Sequence, residues 1–416
     1  MVRAGQVSGD ESLPGGRLTD HIELGVLARA FPRDLLEEVL DVTGRREKRV
    51  RRLPAHVMIR YVIAQGLFFG SGSEEVMRQL VGSLRHLGSW SDDWQVPSTS
   101  AIAQTRARLG AEPLRELFRR AAVPVAGYGT KGAWLAGLRL MSIDGTGLDV
   151  ADTEANVAAF GRMSTGPKAS AFPKVHLVTL SECGTHAVLA AEAGGCRTGE
   201  RTLAAGLLDA LEPDMLLLAD AGFYSWQLWH DATGAALAWR IGASVSLPLV
   251  RALPDGSYLG LLFDPSVKTA RRQVLLTAAR AGQEVPGKQA QLVRAVEFTV
   301  PDRNPDGELV CLITTILDPA RISATELAGA YAQRWEHESA LDEIKTHLRG
   351  GGQVLRSKSP DMVEQEIYGL LLAHYGVREL MCHAADEAGH DPDRLSFARS
   401  VRVVRRQVTD QAAFPP

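Results

Sequence analysis

The pattern of apolar and polar residues divides the chain into a helical first part and a mixed remainder. In residues 24–40 and 54–69, apolar side chains recur at helical spacing, and the second segment begins with a proline, which is favoured in the first turn of a helix. From residue 138 onward, short apolar runs separated by turn residues indicate strands. We therefore expect an all-α region over residues 18–132, preceded by a disordered leader over residues 1–17.

The second part is predicted to be an α/β unit in which strands and helices alternate. Its strands are predicted over Leu138–Ile143, Val175–Leu180, His186–Ala191, Met215–Ala219 and Ala235–Ile241. The fourth of these is apolar throughout, as is typical of a strand buried on both faces. A helix capped by Thr198 is predicted over Glu200–Leu211.

A long interruption divides this α/β unit into two parts, residues 133–241 and 318–384. The interruption, residues 242–317, is rich in Val, Leu and turn-forming residues, so it is predicted to be an all-β insertion. The final segment, residues 385–416, is predicted to form a basic tail.

One long helix is predicted to end at Gly350–Gly352, and Ser323–Glu326 has the capping-box spacing at its start. At about 100° per residue, its polar side chains lie within roughly 60° of one another on the helical wheel. This polar face holds Tyr331, Arg334, Glu338, Lys345 and Arg349. It presents one carboxylate beside a phenol and several cations, which suits a metal-binding acid held against a phosphate backbone. Taken alone, a charged surface helix with ordinary ion pairs is the simpler interpretation.

Two aspartates follow predicted strands. Asp144 comes directly after Leu138–Ile143, and Asp220 directly after Met215–Ala219. Acids at the carboxyl ends of strands point into the crevice where α/β sheets bind ligands. Either aspartate taken singly is explained equally well as a turn former or a helix cap.

Together, Asp144, Asp220 and Glu338 resemble the catalytic triad of the DDE transposases of the insertion sequence 4 family. The family signature is Tyr, two residues, Arg, three residues, Glu, six residues, Lys, and it is met at Tyr331, Arg334, Glu338 and Lys345. Further segments also look like family sequence, namely Leu317–Pro319, Leu355–Pro360, Ala155-Asn156, Phe160-Gly161 and Asp220–Ser225. The chain departs from many members in having Ala221, where they carry Arg.

The resemblance implies a ribonuclease-H-like catalytic core that cuts and joins DNA with two Mg²⁺ ions, for which Mn²⁺ substitutes. Asp144 would bridge both ions, and Asp220 and Glu338 would each complete one. Tyr331, Arg334 and Lys345 would position terminal phosphates. The implied partners are double-stranded DNA, both terminal inverted repeats and target DNA, and a second copy of the chain in a homodimer on paired ends. Excision through hairpin ends is common in this family.

The all-α region resembles the family's N-terminal DNA-binding domain, a bundle of the helix-turn-helix kind. Two segments are candidate DNA contacts: the basic run Arg45–Arg52, and a helix capped by Ser98 or Ser100 that carries Arg106 and Arg108. A short charge run of this kind is more often a solvated loop. In the tail, Arg399–Arg406 is a basic stripe on a predicted helix, which is explained equally well by DNA contact or by solvation.

Aromatic and histidine side chains give weaker signals. A base flipped out during hairpin formation needs an aromatic partner, and Trp226, Trp229 and Trp239 are candidates, although each is more typical of a core. His176, His186 and His347 have no ligand-like spacing, so we predict structural roles for them.

Composition changes this picture little. The net charge of −3 neither favours nor excludes a DNA partner, because local basic stripes still contact phosphates. The four cysteines show no C-x-x-C pair, and no apolar stretch reaches membrane-spanning length, so we expect a cytoplasmic, nucleoid-associated protein without a membrane partner. Two alternatives to a transposase stay open: a transposase-derived DNA-binding protein that does not cut, and a stand-alone nuclease of the same fold.

Overall fold

The computed structural model describes residues 25–49, 51, 53–82, 95–165, 168–300 and 308–409. The predicted leader, residues 1–17, and the last seven residues of the predicted tail, 410–416, lie outside the described residues.

Helices dominate the described part of the first 121 residues, and helices and strands alternate after it. The helices are α1 (Arg33–Val42), α2 (Ala55–Leu67), α3 (Ser73–Gly82), α4 (Thr99–Leu109), α5 (Glu112–Ala121), α6 (Glu154–Phe160), α7 (Glu200–Ala205), α8 (Trp226–Asp231), α9 (Thr269–Arg280), α10 (Ala324–Ala332), α11 (Trp335–Asp342), α12 (Pro360–Glu387) and α13 (Phe397–Thr409). The strands are β1 (Trp134–Leu135), β2 (Leu138–Asp149), β3 (Ser164–Thr165), β4 (Lys168–Ala169), β5 (Lys174–Glu182), β6 (Val188–Gly195), β7 (Met215–Ala219), β8 (Ala236–Ile241), β9 (Leu249–Ala252), β10 (Tyr258–Phe263), β11 (Ala290–Val300) and β12 (Glu308–Thr314).

One sheet holds ten of these strands, in the order β6-β5-β2-β7-β8-β12-β11-β10-β9, with β1 paired to β2. Strands β2, β7 and β8 run parallel, and the remaining pairs are antiparallel. Every residue of β7 is buried, as its uninterrupted apolar sequence predicts for a central strand. Because β5 continues as its antiparallel partner, β2 extends to Asp149 rather than ending at Ile143. The predicted helix Glu200–Leu211 is α7 followed by a 3₁₀ turn, and its N-cap is Gly199, not Thr198.

The prediction of an all-β insertion over residues 242–317 is wrong, because the segment also contains a helix. The segment contains α9, whose Leu275 and Leu276 pack with Leu261 and Ala290 in a small core of their own. Its strands also continue the main sheet, because β12 pairs with β8. The sequence pattern concealed the helix, since the apolar residues of α9 fall in one short run that suits a strand equally well.

The first helices share a core with the end of the chain. All 13 residues of α2 are buried, and α2 crosses α12 at a pair of glycines. A Cβ at Gly66 would lie 2.5 Å from the carbonyl oxygen of Gly369, so only glycine permits this approach. The predicted boundary at residue 132 therefore does not separate two hydrophobic cores.

Residues 385–409 form packed structure, which contradicts the predicted tail over this part. The long helix α12 continues to Glu387, and α13 buries Val401, Val404 and Val408. The expected helix with a basic face is present, with Arg399, Arg402 and Arg406 exposed. Apolar residues at helical spacing explain why the segment packs.

The single long helix predicted before residue 350 is divided in the structure. A tight turn at Gln333 and Arg334, with hydrogen bonds from each backbone N–H to the carbonyl three residues earlier, separates α10 from α11. A π-helix over Glu343–Leu348 follows α11. The capping box at Ser323 and Glu326 is present as predicted. A helical wheel drawn at 100° per residue therefore does not describe which side chains share a face in this segment. The 3₁₀ turn advances about 120° per residue, and the π-helix advances less than an α-helix does.

The π-helix carries a buried carboxylate that joins three parts of the fold. Glu343 Oε2 accepts hydrogen bonds from His374 Nε2 at 2.9 Å and from Arg378 Nε at 2.8 Å, and its Oε1 lies 3.2 Å from His186 Nδ1. Burial acts to raise the pKa of Glu343, but the bonds from His186 and His374 and the charge of Arg378 outweigh it and hold the pKa well below its ordinary value. The network ties the β5–β6 turn and α12 to the helix that carries Glu338.

Replacing this carboxylate is expected to destabilise the fold in a pH-dependent way. At pH 7, Glu343→Gln should lower the free energy of unfolding by about 3–5 kcal/mol, because Arg378 loses its buried partner. The depressed pKa means that the carboxylate stabilises the fold fully above the unfolded-state pKa of about 4.3 and less as pH falls through the folded-state value. The difference between wild type and variant should therefore shrink below about pH 4. Urea denaturation at several pH values measures it.

Glu387→Gln is the matched control, because Glu387 is exposed at the end of the same helix, α12. It should change the unfolding free energy by less than about 0.5 kcal/mol. An equal urea midpoint for wild type and Glu343→Gln at pH 7 would show that the network does not stabilise the fold.

Candidate active site

Asp144 and Asp220 lie next to each other because of the pairing between β2 and β7. The last parallel pair joins Ile143 to Ala219, and each aspartate is the next residue along its strand. Asp144 is therefore not at the end of its strand but at the point where the parallel pairing stops. Side chains at this edge of the sheet face the crevice beyond the strand ends.

Glu338 on α11 completes a cluster with these two aspartates. All three carboxylates line one cavity of about 350 Å³. The exposed fractions of the Asp144, Asp220 and Glu338 side chains are 22%, 42% and 52%, so all three are accessible from this cavity. Three segments far apart in the chain thus meet in the way that the sequence analysis expected.

Arg334 places its positive charge between two of the carboxylates. Its side chain is 6% exposed, with Nη1 lying 3.6 Å from Asp144 Oδ2 and Nη2 lying 3.8 Å from Glu338 Oε1. Burial raises the pKa of Asp144 above its ordinary value, although the Gly145 N–H and the Arg334 charge act to lower it. Arg334 therefore offsets part of the repulsion between carboxylates held close together.

The remaining members of the predicted polar face take different positions. Tyr331 is buried, and its hydroxyl lies 3.4 Å from the Ala219 carbonyl oxygen and 3.5 Å from Asp220 Oδ1, so it holds the second aspartate. Lys345 is half-buried on the π-helix, where its charge acts on Asp144. Arg349 is buried and is not among the residues that line this cavity, so it does not share the predicted polar face. Burial lowers the pKa of its guanidinium, which faces the charges of Asp149 and Glu366.

Three further residues line the cavity that the sequence analysis did not single out: Glu200, Arg240 and Trp335. Arg240 Nη1 lies 3.8 Å from Asp220 Oδ1, which gives this carboxylate a cation as well. Trp335 is 37% exposed, and the Arg334 guanidinium lies 4.6 Å from the centre of its ring. The sequence contained a signal only for Trp335, which stands between Arg334 and Glu338 of the signature. Glu200 lies at the start of α7 and Arg240 on β8, so only the tertiary structure brings them to the cavity.

The three tryptophans considered earlier as base contacts are buried. Trp229 and Trp239 are each 1% exposed and meet edge to face with ring centroids 5.4 Å apart, and Trp226 is 8% exposed. They belong to the core, and Trp335 is the tryptophan that lines the cavity.

The donor atoms of the cavity suit a hard divalent cation. Carboxylate oxygens are the ligands that Mg²⁺ and Mn²⁺ prefer, and Asp144, Asp220 and Glu338 supply only such oxygens. A second group, His186, Glu336 and Asp393, has possible ligand atoms within 4.8 Å of one another. Its histidine already contacts Glu343, Asp393 and Arg378, which fits the structural role predicted for it.

The two segments predicted to contact DNA, the basic run after α1 and helix α4, lie next to each other. Only one of the two arginines of α4, Arg108, faces the basic run. A cleft of about 380 Å³ is lined by basic residues of the loop after α1 and of α4, namely Arg45, Arg46, Lys48, Arg49, Arg51 and Arg108. Ser98, not Ser100, caps α4 by accepting a hydrogen bond from the Ala101 N–H. Arg108 is exposed at this cleft.

Arg106 points away from solvent, which contradicts the prediction that it contacts DNA. It is 7% exposed and donates hydrogen bonds to Gln365 Oε1 at 3.2 Å, Ser357 Oγ at 3.3 Å and the Met362 carbonyl at 3.1 Å. Arg106 and Arg108 are two positions apart in the sequence, so they lie on different faces of α4. Only the packing of α4 on α12 decides which face is buried.

Comparisons with known proteins cover both parts of the chain. Residues 21–119 match the family described as insertion element 4 transposase N-terminal, and residues 136–375 match the transposase DDE domain family. The chain is 31% identical over 390 residues to the transposase InsG for insertion sequence element IS4 of Escherichia coli (strain K12), covering 92% of this chain and 82% of that protein. It is 28% identical over 205 residues to the putative transposase InsZ of the same organism, covering 49% and 65% respectively.

Among solved structures, a piggyBac transposase synaptic complex with hairpin DNA covers 92% of this chain and 79% of its own chain. Its sequence identity of 13% and TM-score of 0.47 make this likeness too weak to carry an argument.

The buried and exposed arginines of α4 are expected to behave differently in unfolding experiments. Arg106→Met should lower the free energy of unfolding by about 3 kcal/mol, because Gln365 and the Met362 carbonyl lose a charged, buried partner. Arg108→Met should change it by less than about 0.5 kcal/mol, as is usual for an exposed side chain. Urea denaturation of both variants measures the difference. Equal, small effects would show that the contacts of Arg106 to α12 contribute nothing to stability.

Proposed function

The chain belongs to the insertion sequence 4 family of DDE transposases, and we propose that Asp144, Asp220 and Glu338 are the catalytic carboxylates of this cut-and-paste transposase. One observation carries the assignment: three acids from separate parts of the chain line a single cavity, in the order along the chain that the family requires. The reaction is cleavage of phosphodiester bonds at the transposon ends and joining of those ends to target DNA.

The strand order supports a ribonuclease-H-like core. Strands β6, β5 and β2 form an antiparallel meander, and β7 and β8 continue the sheet in parallel to β2. In this arrangement the first and fourth strands of the core are neighbours, which brings their acids to the same edge. Residues 133–241 and 318–384 make up this core in our proposal.

Asp144, Asp220 and Glu338 would hold two Mg²⁺ ions, with Mn²⁺ as a substitute. When bound, such ions activate an attacking oxygen and stabilise the charge that develops on the leaving oxygen. The surrounding residues orient these ligands: Tyr331 contacts Asp220, and Arg334 contacts both Asp144 and Glu338. Arg334, Arg240 and Lys345 also supply positive charge around the cavity, which favours the approach of a phosphate backbone.

The basic cleft between the loop after α1 and helix α4 would bind the phosphates of the terminal inverted repeats. Six cationic side chains line it, and phosphate contacts fix the register of a protein on DNA without reading its sequence. The proposed DNA contacts therefore include Arg108, which lines the cleft, and exclude Arg106, which is buried. Residues 18–132 would thus contribute DNA binding, although their helices pack against α12.

Three further features complete the proposal. A homodimer would hold the two transposon ends together, as cutting and joining of paired ends requires. Excision would proceed through hairpin ends, and Trp335 offers the exposed ring on which a flipped base stacks. In the described residues, no helix has the length and apolar character needed to cross a membrane. We place the protein in the cytoplasm at the nucleoid because its substrate is DNA.

Cleavage of a DNA fragment carrying the native flanks of the coding region tests the proposed site. Asp144→Asn and Glu338→Gln should each lower the rate of Mg²⁺-dependent cleavage by more than about 10²-fold, because ligands should matter more than the residues that support them. Binding of the ends, measured by gel mobility shift, should persist. Asp342→Asn is the control, since Asp342 is exposed on the same helix, α11.

The outcomes also separate the alternatives. Tight binding of the ends without cleavage in Mg²⁺ or Mn²⁺ would identify a DNA-binding derivative. Cleavage without preference for the element boundary would identify a stand-alone nuclease. Unchanged cleavage by both triad variants would refute the assignment of the site.

The salt dependence of DNA binding tests the basic cleft. Arg49→Ala and Arg108→Ala should each weaken binding of the transposon end and lower the slope of log K against log salt by about 1, if each contacts one phosphate. Lys268→Ala is the control, because Lys268 is an exposed cation at the start of α9, outside the cleft. Equal slopes for the wild type and the two arginine variants would exclude the cleft as a DNA contact.

A further inference from the structure

The residue before Glu338 is a histidine buried among three hydroxyl groups. His337 is 1% exposed, and its Nδ1 lies 2.8 Å from Ser142 Oγ. Its Nε2 lies 2.7 Å from Thr179 Oγ1 and 3.2 Å from Ser181 Oγ. The imidazole therefore spans two strands, β2 and β5, and both of its ring nitrogens have partners.

The hydroxyls belong to the same patch of the sheet as the first catalytic aspartate. Thr179 is the direct cross-strand partner of Asp144, and Ser181 is the partner of Ser142, two residues before Asp144. Because side chains alternate along a strand, Ser142 and Asp144 lie on one face of the sheet, and Thr179 and Ser181 share that face. His337 thus contacts the sheet next to the backbone of Asp144.

The helix that carries Glu338 is short, and the backbone on both sides of it is not regular α-helix. Helix α11 is only eight residues long, begins after the tight turn at Gln333 and Arg334, and continues into a π-helix. A segment with irregular hydrogen bonding at both ends can rotate or slide more easily than a regular helix. Three contacts between one buried ring and hydroxyl groups of the sheet help to fix both the height of α11 above the sheet and its rotation, together with the bond from the Gly184 N–H to Glu336.

We propose that His337 is a positioning residue that sets the distance between the carboxylates of Glu338 and Asp144, and hence the affinity of the site for divalent cations. This role rests on the proposed function of the triad. The hydroxyls act as donors and acceptors to the two ring nitrogens, so the contact is directional, unlike an apolar contact. An apolar residue would fill the space but would not choose one orientation of α11 over another.

Binding of Mn²⁺ to the DNA-free protein, measured by isothermal titration calorimetry, tests the role without reference to cleavage. His337→Leu should weaken Mn²⁺ binding by about 10–100-fold, the range found when a group that orients a metal ligand is removed. His337→Gln should restore part of the affinity, because its amide can donate to one hydroxyl and accept from another. The Mn²⁺ concentration that gives half-maximal cleavage should rise in parallel.

Arg106→Met controls for loss of stability, because Arg106 is also buried but contacts Gln365, Ser357 and the Met362 carbonyl, away from α11 and the triad. It should reduce the unfolding free energy and leave Mn²⁺ affinity within about twofold of wild type. If His337→Leu does not fold, Thr179→Val and Ser142→Ala remove single partners and should each give a smaller loss of affinity. Wild-type Mn²⁺ affinity in a folded His337→Leu, or in both single-partner variants, would overturn the positioning role.

The failure of this role and of the proposed function are distinguishable. Asp144→Asn removes a proposed ligand and should abolish high-affinity Mn²⁺ binding. Persistence of that binding in Asp144→Asn would overturn the proposed function, and the positioning role with it. If Asp144→Asn loses high-affinity Mn²⁺ binding while a folded His337→Leu keeps the wild-type Mn²⁺ affinity, only the positioning role is overturned.

Discussion

The candidate active site depends on the parallel pairing of β2 with β7. This pairing joins Ile143 to Ala219 and stops there, so the next residue on each strand, Asp144 or Asp220, faces the same crevice. A register shift of one residue would turn one of these side chains to the other face of the sheet. Such a shift is costly because it would draw a flanking carboxylate, Asp220 or Asp214, into a strand in which every residue is buried. The hydrophobic core thereby sets the spacing of the two acids.

The third acid is held by polar contacts instead. Around Glu338 the chain departs from regular helix, with a tight turn before α11 and a π-helix after it. Buried polar side chains anchor the segment at three points: Arg334 at the triad, His337 at the hydroxyls of the sheet, and Glu343 at His374 and Arg378. Each of these groups would be costly to bury without a partner, so the contacts specify one arrangement. The backbone of this segment is irregular because Arg334, His337 and Glu343 must each point toward a different neighbour, which the fixed spacing of one regular helix does not allow.

The first helices pack against this core through α12. This helix crosses α2 at Gly66 and Gly369, receives Arg106 from α4, and supplies His374 and Arg378 to the network around Glu343. One rigid element thus touches both the first helices and the segment that carries the third acid.

The sequence alone predicted the family and the three candidate acids, because the signature from Tyr331 to Lys345 and the two aspartates after apolar strands are local patterns. It also determined β7 and the capping box at Ser323, where a run of apolar residues or a fixed spacing has one structural outcome. Tertiary structure decided which polar residues face the site. Arg106 and Arg349 are buried, and Arg240 and Trp335 line the cavity, since packing on α12 and the order of strands select the faces. The helix is also interrupted at Gln333, and the buried side chains that follow, His337 and Glu343, contact Ser142 and His186. These partners lie more than 100 residues away in the chain, so a helical wheel, which uses only local spacing, does not predict the contacts.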